Sequence, residues 1–126
     1  NPGPAAAMVG RLIVPGLTSP DMPASLDAKA IRMLRTGKGY NGPAFNGVIF
    51  SDDLGSMAAI SSKYPITQAA VLSIRAGVDV ALWTTTDQVP AVLDALEAAV
   101  RDGRISQSAV DKKVVRVLRA KGIVTC

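Results

Sequence analysis

The 126-residue chain contains no histidine. That side chain titrates near neutral pH and is the commonest transition-metal ligand. A Ser-His-Asp triad therefore cannot be completed here, and a zinc site is not expected. A single cysteine, Cys126, excludes an internal disulfide and leaves the compartment open. Aromatic residues make up only 4% of the chain. The core must be assembled from Ala, Val, Leu and Ile, and platforms for stacking nucleic-acid bases are nearly missing. No apolar run approaches the length of a bilayer span. No signal-peptide pattern opens the chain, which begins at Asn1 instead of Met, so it is read as processed or as part of a longer protein.

What is present is enough for one ordinary domain: 48% of residues are hydrophobic. The formal charge is +4, but Lys and Arg are dispersed, which argues against a nucleic-acid partner. Lys112, Lys113, Arg116, Arg119 and Lys121 gather near the C-terminus. They read as the solvated face and cationic last turn of a terminal helix.

Taken in order, Asn1–Pro4 is a turn, and residues 5–14 form a small-residue strand. Pro15, Gly16, Pro20 and Pro23 make a loop. Ser25 caps a helix over 26–35, with Ala30, Ile31 and Leu34 on one face. The glycine-rich stretch 36–43 contains Lys38 but lacks the spacing of a phosphate loop, and is read as a connection. It leads to a short, dry strand over 47–51. Residues 54–64 are a loop with a helical turn at 57–60. Pro65 opens a helix that runs to Ala76 and stops at Gly77. Residues 78–83 are a third strand, and 84–87 a loop and cap. A helix over 88–101 tolerates Pro90 in its first turn and sets Glu97 four residues before Arg101, a spacing that favours an ion pair. Ser106 caps the last helix, with an Ile105–Val110 staple and a stripe of Val110, Val114, Val117 and Leu118 that ends before Gly122. Strands alternating with helices point to right-handed βαβ units and an α/β fold with parallel strands. Three strands buried on both faces are too few, so the chain reads as part of a larger sheet or barrel.

Gly47-Val48-Ile49-Phe50-Ser51-Asp52-Asp53-Leu54 is the stretch that carries chemistry. A buried strand ends in a hydroxyl and two carboxylates. Parallel α/β folds gather their chemistry at the carboxyl ends of strands. Strand alternation puts Val48, Phe50 and Asp52 on one face and Asp53 on the other. A carboxylate there equally serves as a helix cap.

The segment Gly47–Met57 resembles the nucleophile segment of glycoside hydrolase family three, especially its bacterial β-N-acetylglucosaminidases. The similarity extends in order. Ala7-Met8-Val9-Gly10 with Val14-Pro15 resembles the preceding barrel strand and loop. Arg75-Ala76-Gly77-Val78-Asp79-Val80-Ala81-Leu82 resembles the passage into the last strand, and Val110–Gly122 the closing helix. The resemblance implies a partial (β/α)8 TIM-type barrel: its last three β/α units, strands six to eight, with residues 1–126 the C-terminal portion of one barrel domain and no second domain.

It also implies a retaining hydrolysis of terminal β-linked N-acetylglucosamine, for instance on peptidoglycan fragments. Asp52 would be the nucleophile, Asp53 a cap or supporting group, and Met57 either part of the sugar pocket or a packing residue. Arg11 stands where the family often carries His after Gly, and would face a leaving group or neighbouring sugar. The acid/base, a His paired with an Asp, belongs to an upstream loop. The implied partners are a carbohydrate substrate and the N-terminal part of the same barrel. Neither cofactor nor metal is implied, and the location is the cell envelope or the cytoplasm. The competing reading is a non-catalytic half-barrel that serves as a binding module. A small phosphate-binding α/β domain is disfavoured, because no glycine-rich strand-to-helix turn is present.

Overall fold

The structure is a computed structural model that describes residues 6–55 and 62–125. Three parallel strands, β1 (Ala7–Val9), β2 (Ile49–Asp53) and β3 (Val80–Leu82), lie side by side in chain order. Four helices accompany them: α1 (Ala28–Thr36), α2 (Ile66–Ala76), α3 (Val89–Arg101) and α4 (Gln107–Ala120). Short 3-10 turns at Ala24–Leu26 and Thr86–Gln88 precede α1 and α3.

Right-handed crossovers between strands that follow in order, with no reversal, put every crossover helix on one side of the sheet. Burial shows it. Ile49 of β2 packs with Ile31 of α1 and with Val78, and Val9 leans on the same cluster. Ala81 packs against both α2 and α3. Met8, Phe50 and Val80 stand opposite one another in the register, one residue out of phase with Ile49, and so occupy the other face. No helix among the described residues covers that face. Met8 is 61% exposed and Leu82 36%. A one-sided helical layer with a bare apolar inner face is the layout of a barrel segment, not of a doubly wound sheet.

The core follows the composition. Ala69, Ala70 and Ala99 are fully buried between α2 and α3, where small side chains let the helices approach closely around Leu26, Leu54 and Val92. Gly77 stops α2 at φ +119, and a Cβ there would lie 2.8 Å from the Ile31 side chain. Only glycine meets both demands.

Several expectations need correction. The first strand covers residues 7–9, not 5–14. Beyond it the chain pairs elsewhere, with the Gly10 and Leu12 carbonyls accepting from Ser25 and Ala24. Those carbonyls are diverted from the sheet, so the strand ends. Ser25 does not cap α1. Asp27 does, accepting from Lys29 N at 2.7 Å and also from Ser19 N. The two oxygens of the Asp27 carboxylate clamp the preceding loop and the helix start together. β2 extends to Asp53, two residues past the expected end. No ion pair forms between Glu97 and Arg101, and both are solvated on the surface of α3, where such pairs gain little. Ser106 caps α4 as expected, accepting from Ala109 N at 3.2 Å. The helical turn expected at 57–60 lies outside the described residues.

α4 passes beneath the sheet. Lys113 Nζ donates to Val78 O at 2.9 Å, Arg116 reaches Asp79 just before β3, and Arg116, Arg119 and Ala120 face Gly47 and Val48 just before β2. The basic C-terminal cluster is therefore not simply a solvated face. Lys113 is buried and Arg116 half-buried.

Candidate active site

The carboxyl end of β2 presents Ser51, Asp52 and Asp53 in succession, and each has a different job. Ser51 is fully buried, and its Oγ accepts from Leu82 N at 2.8 Å, tying β2 to β3. Asp53 is engaged through both carboxylate oxygens. Oδ1 accepts from Gly55 N at 2.9 Å, closing the turn after the strand, and Oδ2 accepts from Thr84 Oγ1 at 3.4 Å, reaching the loop after β3. It braces two loops at once.

Asp52 is half-buried. Its Oδ1 accepts from Asp53 N at 2.8 Å, and no other hydrogen bond or ion pair reaches its carboxylate from the described residues. One oxygen is thus steadied, and the other has no hydrogen-bond partner among the described residues. An irregularity sharpens this arrangement. Phe50 pairs with Val80 and Asp53 with Leu82, so β2 carries one more residue than β3 between those pairs. Bulges of this kind re-aim side chains and are frequent beside active sites. The simple alternation of faces is interrupted just where Asp52 stands.

The other two expected site residues are less connected. Arg11 is exposed beyond the end of β1, at the same end of the sheet as Asp52, and its guanidinium pairs with no described residue. Met57 lies outside the described residues. Among the described residues, no group of three or more His, Cys, Asp or Glu stands close enough to hold a metal ion. No described helix is long and apolar enough to cross a membrane.

At the opposite, amino end of the strands stands a group that sequence reasoning passed over. The Asp79 side chain is fully buried. It accepts from Ile49 N at 2.9 Å, from Arg116 at 2.9 Å and from Arg35. Arg35 also donates to the carbonyls of Phe45 (3.1 Å) and Gly47 (2.6 Å). One carboxylate therefore joins α1, the entry to β2, the entry to β3 and α4. Burial holds the Arg35 guanidinium below its ordinary pKa, with Asp79 opposing that shift. Burial likewise lowers Lys113, against the pull of Asp79 and with the push of Arg116 and Arg35. The signal was available: an Asp inside the apolar run Val78–Leu82 needs a counter-charge if that run is buried.

Comparison with known proteins agrees with this picture. The model of the glycosyl hydrolase family 3 N-terminal domain matches residues 2–120. A curated relative, beta-hexosaminidase LpqI of Mycobacterium tuberculosis, is 54% identical over 119 residues, which is 94% of this chain and 30% of that protein. Its solved structure superposes with a TM-score of 0.88 over 91% of this chain and 33% of that one. A family 3 glycosyl hydrolase from Mycobacterium smegmatis aligns at 48% identity and TM-score 0.87, covering 91% of this chain and 35% of its own. A family 3 β-N-acetylglucosaminidase from Paenibacillus sp. is 35% identical at TM-score 0.80, covering 94% of this chain and 22% of its own. The chain thus spans about a third of the length of the relatives it matches, and its open sheet corresponds to part of their TIM barrel.

Proposed function

The chain belongs to glycosyl hydrolase family 3, and from that premise we propose that it supplies the nucleophile, Asp52, of a retaining glycosidase. In such an enzyme one carboxylate attacks the anomeric carbon and forms a glycosyl-enzyme. A second group protonates the leaving oxygen and then activates water. The observation that supports the assignment is the contrast within the carboxylate pair: Asp53 is engaged by Gly55 and Thr84 through both oxygens, whereas among the described residues Asp52 accepts a single bond, from Asp53 N, through one oxygen. The substrate is a terminal β-linked N-acetylglucosaminide, supported by the names of the relatives.

On this reading residues 1–126 are the last three β/α units of one barrel, and the acid/base comes from the remaining units. The bare inner face at Met8 and Leu82 supports that, as does an apolar groove of ≈ 660 Å³ between α3 and α4, lined by Leu93, Leu96, Val114 and Leu118. Both are surfaces that barrel closure would cover. On the same reading Arg11, exposed at the end of the sheet that carries Asp52, faces the leaving group or a neighbouring sugar.

The test compares Asp52→Ala with Asp53→Ala in the complete barrel, using a chromogenic β-N-acetylglucosaminide. Asp52→Ala loses about 10³-fold or more in rate with the fold intact. Asp53→Ala loses less activity and more stability. Unchanged turnover in Asp52→Ala removes the nucleophile assignment. The isolated 126-residue chain gives no hydrolysis, and turnover by it overturns the divided-site reading.

A further inference from the structure

Beneath the sheet, a cleft of ≈ 430 Å³ opens between α1, α2 and α4. Six cationic side chains line it: Arg32 and Arg35 from α1, Arg75 from α2, and Lys112, Lys113 and Arg116 from α4. No carboxylate is among its lining residues. The nearest charge of opposite sign in the network is Asp79, which is already saturated by Arg35, Arg116 and the Ile49 amide. Asp111, beside Lys112 on α4, accepts from Gln107. Asp27, at the start of α1, is spent on Ser19 and Lys29. Arg32, Arg75 and Lys112 are exposed, and their side chains pair with no described residue.

Like charges at this density repel, and among the described residues Asp79, already bonded to Arg35 and Arg116, is the carboxylate that offsets them. Burial disfavours the charge on Lys113, Asp79 opposes that, and Arg116 and Arg35 add to it. An anion seated in the cleft would offset the repulsion and favour the charged form of Lys113. Guanidinium forks from three helices suit a tetrahedral oxyanion with several acceptor oxygens. The lining carries no aromatic ring, so a nucleobase has nothing to stack on. Its apolar part is small: Ala28, Ile31, Ala76 and Ala109.

We propose that this cleft, at the end of the barrel remote from Asp52, binds a phosphoryl-bearing anion that lacks a nucleobase. The same chemistry comes from a soluble pyrophosphate-type anion or from the headgroup of an anionic lipid. Arg35 and Arg116, fixed by Asp79, form the floor of the site, and Arg32, Arg75 and Lys112 close over the ligand.

The experiment uses the intact protein and the variant Arg32→Ser/Arg75→Ser/Lys112→Ser, which spares every residue of the Asp79 network. A second variant, Lys38→Ser/Lys63→Ser/Lys121→Ser, removes the same charge from exposed positions elsewhere. Calorimetric titration with pyrophosphate and co-sedimentation with phosphatidylcholine vesicles, with and without phosphatidylglycerol, are run on all three. Binding in either assay should weaken about tenfold in the cleft variant, three exposed contacts each contributing a factor of about two. It should hold in the charge-matched control, and hydrolytic activity should be the same in all three. Pyrophosphate binding identifies a soluble ligand, and binding confined to the phosphatidylglycerol vesicles identifies a headgroup. No binding in either assay, or equal loss in both variants, overturns the proposal.

Discussion

Replacing Asp79 by alanine tests the frame that holds β2. The substitution removes the acceptor of Ile49 N and of two guanidinium groups, all converging on one fully buried carboxylate. Taking one partner from a buried ion pair costs about 3–5 kcal/mol, because the remaining charge is left uncompensated. Two features offset part of that cost. Arg35 and Arg116 keep 16% and 30% of their side-chain exposure, so water recovers some of their solvation. Arg35 also retains the Phe45 and Gly47 carbonyls. The expected loss is therefore at the low end, about 3 kcal/mol. Asp79→Asn keeps a neutral acceptor of the same shape and should lose about half as much, since charge-assisted bonds are roughly twice as strong as neutral ones. Urea unfolding followed by circular dichroism measures both, with an unchanged denaturant slope showing that the two end states are comparable. An Asp79→Ala loss below about 1 kcal/mol, or equal losses for Ala and Asn, refutes the claim that the carboxylate charge organises the amino end of the sheet.

Three further outcomes follow from the same structure. Ser25 Oγ is buried with no partner among the described residues, so Ser25→Ala should be neutral or slightly stabilising in urea unfolding. Asp27→Ala should cost about 1–2 kcal/mol as the true cap of α1, and the reverse ranking would restore Ser25 to that role. Lys113 has its pKa lowered from 10.5 in the folded state, chiefly by burial. Between that lowered value and 10.5 the unfolded chain binds more protons, so stability contributed by this site rises with pH. Lys113→Met keeps the stem and removes the titration. The stability difference between the wild type and Lys113→Met should then move in favour of the wild type as pH is raised toward about 10, and a pH-independent difference contradicts it.

The element order, the parallel sense of the strands and the pattern of an open barrel piece were all legible in the sequence. Apolar runs bounded by Gly and Pro, with Gly77 and Ser106 as signals, mark elements whose local preference and tertiary setting agree. Two of the misses share one cause. Where the first strand stops, and which residue caps α1, are decided by backbone partners distant in the chain, such as Ser25 N on Gly10 O, and by competition between Ser25 and Asp27. Local pattern does not rank such competitors. The site was legible as residue types at a strand end, and the two aspartates were already assigned different roles. Their actual division of labour depends on a register irregularity and on Thr84, thirty-one positions away, neither of which periodicity reports. The Asp79 network was visible only as an unexplained charge in an apolar run.

The central claim is that Asp52 forms the bond to the sugar. Its most direct test is to incubate the complete barrel with an activated N-acetylglucosaminide whose glycosyl-enzyme turns over slowly, then quench, digest and map the adduct by mass spectrometry. The account predicts one N-acetylglucosaminyl adduct on the peptide that contains Asp52, fragmenting to Asp52 itself and absent from Asp52→Ala. An adduct on Asp53 or on another residue, or retained in Asp52→Ala, contradicts it.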